Sequence, residues 1–151
     1  MIEYQLKFRT EEEFWELRDS VQEDIQAILS EESFLMEIAI NEAVNNALRS
    51  NGSEKPITLK VRVTPGKRLI VRVKDNGEGF NALEALKKIS YSPNLAFEER
   101  LYEESGRGLS IMNAASDKLY FNQKGNEILL MKFVRAKGTE QISSSKDEVF
   151  C

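Results

Sequence analysis

A chain of 151 residues, 41% hydrophobic and 30% charged, has the length and makeup of one compact domain with a proper core. Its formal net charge of −4 argues against a nucleic-acid binder, which needs excess Lys and Arg on one face. With no histidine, and Cys151 as the single cysteine, the chain lacks His-dependent triads, an intrachain disulfide and the usual zinc ligands.

No apolar run approaches the roughly 20 residues that span a bilayer. Met1-Ile2-Glu3-Tyr4 shows no basic segment leading into an apolar one, so no secretory signal is visible and the cytoplasm is the expected location. From Ile2 to Arg9, apolar and polar residues alternate around Tyr4, Leu6 and Phe8, which predicts a first strand. Thr10 followed by three glutamates reads as a helix N-cap with a capping box. Phe14, Leu17, Val21, Ile25 and Ile28 then recur at helical spacing. Trp15 accompanies them, and the face they form suits either core packing or a partner.

A turn near Ser30 leads to a second helix starting at Glu32 or Ser33 and stopping at Asn51-Gly52. From Ile57 the period becomes two. Ile57 to Val63, a Pro65-Gly66 turn and Leu69 to Val73 predict an antiparallel pair. A short helix fits Asn81 to Ile89, and Ser90 to Ser105 reads as a mobile loop with some helical content. Gly106 opens a helix reaching Ala115. Strands then follow over Lys118 to Asn122 and, after a Lys124-Gly125-Asn126 turn, over Glu127 to Val134. Residues 136–151 are polar and expected to be disordered. The predicted fold class is α+β: a two-layer α/β sandwich, its mixed but mostly antiparallel sheet covered by helices on one face.

Three stretches carry chemistry. Glu42 and Asn46 stand one turn apart on one side of the second helix, while Met36, Ile40, Ala43, Val44 and Ala47 occupy the opposite arc. An amide oxygen suits Mg²⁺, and a carboxylate beside that metal can deprotonate an attacking hydroxyl. Asp75 ends a β-branched strand, where it can accept from an adenine amine, and Gly77 and Gly79 let backbone pass close to a flat base. Ser105-Gly106-Arg107-Gly108 before an apolar helix is a candidate anion nest, with Arg107 adding charge. No Gly-Lys-Ser/Thr is present, which excludes a Walker loop. Singly, each stretch also fits a plainer role: a solvated helix face, a turn dipeptide, a glycine turn.

In this order, Glu42-Ala43-Val44-Asn45-Asn46-Ala47, Asp75-Asn76-Gly77-Glu78-Gly79-Phe80 and Ser105-Gly106-Arg107-Gly108-Leu109 resemble the N, G1 and G2 boxes of the GHKL (Bergerat-fold) ATPases. The wording through Leu109-Ser110-Ile111-Met112 and on to Asp117 looks most like the anti-sigma-factor serine/threonine kinases of bacterial partner switching. The resemblance covers most of residues 1–135 and implies a kinase domain there, with 136–151 as a tail. It implies ATP and Mg²⁺ as cofactors, with Asn46 as metal ligand and Glu42 as catalytic base. Asp75, Gly77 and Gly79 would then serve the base, and Ser105, Gly106, Arg107, Gly108 and Leu109 would border the phosphates under a lid of about 91–104.

As partners it implies a STAS-type anti-anti-sigma substrate, a sigma factor and a second copy in a homodimer, without nucleic acid or membrane. The chain departs from the pattern at Ser50, where a His is common, at Ser105 in place of a first glycine, and at Phe80 where Ile is common. These departures bear on phosphate-side geometry. A regulatory module that binds nucleotide without transferring phosphate is the alternative. A detached histidine-kinase ATP domain fits less well, because such domains more often place Asn where Glu42 stands.

Overall fold

The computed structural model describes residues 2–51, 55–77 and 104–134, with side chains in the last segment described from Gly108 onward. The Asn81–Ile89 helix, Gly79, all but the last residue of the lid and the 136–151 tail lie outside the described residues.

Five strands form one sheet: β1 (Glu3–Phe8), β2 (Ile57–Val63), β3 (Arg68–Lys74), β4 (Lys118–Phe121) and β5 (Glu127–Phe133), in the order β1-β2-β3-β5-β4. Every described pairing is antiparallel, in keeping with the mostly antiparallel sheet expected. The register puts Tyr4, Val61, Val71, Leu130 and Leu119 in one row, and Leu6, Leu59, Val73, Ile128 and Phe121 in the next. Opposed residues share a face, so the period-two pattern gathers the β-branched and aliphatic side chains on one side. Their complement (Gln5, Lys60, Arg72) turns to the other side.

Among the described residues three helices cover the apolar face. In α1 (Glu11–Leu29) Thr10 caps the start by accepting from the Glu13 amide at 3.1 Å, and the Glu13 carboxylate accepts from the Arg9 amide at 2.7 Å. The expected capping box is thus present with its return bond one residue earlier. Phe14, Val21, Ile25 and Leu29 bury against the sheet, and the Phe8 and Phe14 rings meet at 5.1 Å. A 3-10 turn over Ser30–Glu32, with Ser30 at φ 53°, redirects the chain into α2 (Ser33–Ser50). There Met36, Ile40, Ala43, Val44 and Ala47 are all buried, the arc read from the sequence. The third helix, α3 (Glu104–Ala115), packs beside α2 and buries Leu109, Met112 and Ala115.

Trp15 takes no part in the core. It is 55% exposed, with the Arg18 guanidinium 4.5 Å from its ring centre. Together they line a groove of about 470 Å³ between α1 and α2, with Phe14, Asn41 and Asn45. Trp15 follows Phe14 by one position, 100° further round the helix, so burying Phe14 turns Trp15 outward.

Candidate functional site

The second half of α2 is the spine of the site. Small buried residues on its inner arc (Ala39, Ala43, Ala47) let it sit close to its neighbours. Glu42 and Asn46 emerge from the flank that α3 approaches. A Cβ built on Gly108 of α3 would stand 3.3 Å from Glu42 Oε2, 3.6 Å from Glu42 Cβ and 3.8 Å from Asn46 Nδ2. Glycine therefore leaves open a small cradle between the two functional side chains, which any other residue would begin to fill. Asn46 Oδ1 accepts from the Arg49 guanidinium, one turn on.

α3 begins at Glu104, two residues before the expected start, so Ser105, Gly106 and Arg107 lie in its first turn rather than in a preceding loop. The first amides of a helix lack intrahelical acceptors, and those of residues 104–106 are among them. The anion-binding potential read from the glycines thus sits on the helix itself. Leu109 stands apart from the set: at 4% exposure its side chain belongs to the core.

Asp75 follows β3 directly and is 7% exposed. Its Oδ1 accepts from the Gly77 amide at 2.7 Å, its backbone N–H donates to the Asn126 carbonyl at 2.9 Å, and its carbonyl accepts from Asn126 Nδ2 at 3.2 Å. Asn126, itself 8% exposed, is held in turn by Asn122, whose Nδ2 donates to Asn126 Oδ1 at 2.6 Å. Gly77 presses on the end of α2 so closely that a Cβ there would overlap the Ser50 carbonyl. Beside it, Asn51 Oδ1 accepts from the Asn76 amide at 2.9 Å, and Asn76 Nδ2 donates to the Pro56 carbonyl at 2.9 Å.

The structure therefore brings Glu42, Asn46 and Gly108 into one cluster and docks Asp75 and Gly77 onto the end of the same helix. Ser50, whose hydroxyl donates to the Asn46 carbonyl at 3.1 Å, lies one turn beyond Asn46 and joins the two. Sequence reasoning missed Asn51 and Asn126. Asn51 was read only as a helix stop and Asn126 only as a turn residue; a side chain that bonds a distant backbone leaves no local signal. Asp117, noted as part of a motif, has a structural task here: its Oδ2 accepts from the Phe133 amide at 2.8 Å, tying the α3–β4 turn to β5.

Mg²⁺ prefers oxygen ligands and retains water or phosphate oxygens, so one protein ligand suffices when nucleotide supplies the rest. Among the described residues no three His, Cys, Asp or Glu side chains converge on a metal position. Asn46 beside the open Gly108 cradle fits a metal carried in with its nucleotide, not one caged by protein.

An antiparallel sheet covered on one face by helices, with a carboxylate and amide on α2 facing a glycine-bearing helix start, defines an ATPase-type nucleotide domain. The chain belongs to the histidine kinase-like ATPase domain family, of the GHKL superfamily, whose model matches residues 10–132. ATP is thereby the ligand of this domain. No curated protein matches the chain. Among the described residues no helix is long and apolar enough to cross a membrane.

Proposed function

We propose that this chain is an ATP-dependent serine/threonine-protein kinase of the anti-sigma type. It would phosphorylate a STAS-domain antagonist in the cytoplasm, sequester a partner such as a sigma factor, and work as a homodimer. The observation that carries the reading is Glu42 Oε2, placed beside both Asn46 and the cradle at Gly108. A base there serves a transfer reaction and is superfluous for sensing nucleotide alone.

Bound ATP with Mg²⁺ supplies the γ-phosphoryl group. Glu42 would take the proton from the substrate hydroxyl as its oxygen bonds to phosphorus and ADP departs. Asn46 would hold the metal through Oδ1, so loading moves Arg49 off that atom. The α3 amides at 104–106 would take the phosphate oxygens, and Asp75 would accept from the adenine amine through the oxygen not engaged by Gly77.

The alternative, a nucleotide switch without transfer, draws support from Arg49, which already engages the proposed metal ligand. Two variants separate the readings when incubated with labelled ATP and a matched STAS protein. Asn46→Ala is expected to abolish Mg-ATP binding. Glu42→Gln is expected to keep binding and lose transfer by about a hundredfold or more, since it removes only a transition-state role. Parent protein that binds ATP yet transfers nothing to the STAS protein would leave the switch.

A further inference from the structure

The sheet face turned away from the helices has a character the overall charge conceals. By the strand register it carries Lys7, Lys60, Arg72 and Lys74 toward one end and Arg62, Arg68 and Lys118 toward the other. Among the described residues only Glu3 and Glu127 oppose these seven cations, so their part of the face holds net +5 while the chain as a whole is −4. Arg62 pairs with Glu3 at 3.6 Å and Arg72 with Glu127 at 2.9 Å. Lys7, Lys60 and Lys74 are exposed and have no carboxylate partner among the described residues. With Arg72 they border a groove of about 310 Å³, which has room for a few carboxylate side chains.

Beside this basic groove the same face turns apolar. Ile70 and Leu129, both half-buried, neighbour one another across β3 and β5 around the buried Met131, with Tyr120, 50% exposed, on the edge strand. Among the described residues no helix lies over this face, since the buried faces of α1, α2 and α3 all join the core on the other side. Cations concentrated beside aliphatic side chains match the composition of a protein-binding surface whose partner carries the opposite charge.

We propose that this face docks an acidic, partly apolar segment of another protein, its carboxylates in the Lys7–Lys60–Lys74 groove and its apolar side chains on Ile70, Leu129 and Tyr120. Two other occupants fit less well. A second copy packed face to face would set +5 against +5. A nucleic acid finds aliphatic side chains at the centre instead of a stacking platform, and a strand running past the sheet meets the acidic remainder of the chain. The nucleotide site lies across the sheet, so this docking is independent of the kinase reading and leaves ATP access free.

The test uses the full chain and a fluorescent peptide of glutamates with interspersed leucines, followed by anisotropy. Binding is expected, with an affinity that falls steeply as salt rises. The Lys7→Glu/Lys60→Glu/Lys74→Glu variant is expected to weaken it by on the order of tenfold or more, with ATP binding unchanged. Should that variant fold poorly, Lys60→Gln/Lys74→Gln gives the same comparison with a smaller drop. Absence of peptide binding, or equal binding by parent and variant, overturns the proposal. So does tighter binding of a single-stranded oligonucleotide of equal charge, or sedimentation showing that these lysines hold two copies together.

Discussion

The two halves of the proposed nucleotide site are built by different means. Around Asp75 nearly everything is main chain and cross-link. Its amide and carbonyl are both bonded to Asn126 and its carboxylate to Gly77, and Gly77 packs against the very end of α2 without space for a Cβ. Around Glu42 and Asn46 the arrangement is made of side chains, both half-buried, with an open cradle at Gly108 and Arg49 resting on Asn46. The first half is set before any ligand arrives. The second would have to rearrange to take one. A buried corner that receives an uncharged base gains from rigidity, because ordering costs are met on folding. A seam that admits metal and phosphate gains from a cation that can leave.

Gly77→Ala attacks the rigid half where it is tightest. The new methyl would collide with the Ser50 carbonyl, a backbone atom at a helix end with nowhere to go. The expected cost is about 3 kcal/mol or more, larger than ordinary overpacking because no rotamer change relieves it. Denaturant unfolding reads the stability, and ATP affinity should fall with it as Asp75 shifts. An unchanged midpoint would mean that this corner yields, and the contrast between the halves would fail.

Asn51→Ala tests the same corner more gently. Removing the side chain withdraws the acceptor for the Asn76 amide and side chain, at 2.9 and 3.3 Å, and the donor to the Lys55 carbonyl at 3.2 Å. These groups are partly reached by water, so the expected loss is about 1 kcal/mol. Nucleotide affinity should weaken severalfold in titration while transfer per bound ATP stays the same. A fall in transfer at saturating ATP would show that Asn51 acts on the other half as well.

Much of this was legible in the sequence, and the parts that were not share a cause. Strand order in the chain, helix limits and the buried arc of α2 follow from periodicity, because burial selects side chains at 2.0 or 3.6 residue spacing. Glu42 and Asn46 were readable because one helix carries both. The closeness of Gly108 to them depends on how α3 packs on α2, which no local pattern encodes. Trp15 illustrates the limit from the other side: an apolar residue inside an amphipathic helix that faces out under Arg18. Net charge hid a contrast in the same way, since −4 overall averages a basic sheet face with acidic helices. Registers, not compositions, separate them.

Gly108→Ala makes the smallest change to stability and the most informative one for the adaptable half. Alanine is favoured over glycine inside a helix by about 1 kcal/mol. Against that gain, the methyl would sit 3.3 Å from Glu42 Oε2, a contact tighter than usual but with the free end of a flexible side chain. Glu42 can turn aside at modest cost, so the net change in unfolding free energy is expected within about 0.5 kcal/mol of zero. The displaced carboxylate then points away from the cradle. ATP binding should persist, because Asn46 Nδ2 is further off at 3.8 Å and Asp75 is untouched, while transfer to a STAS substrate drops. Equal losses of binding and transfer would place the effect on the phosphates rather than on the base. A large fall in stability would show the seam to be as unyielding as the Asp75 corner.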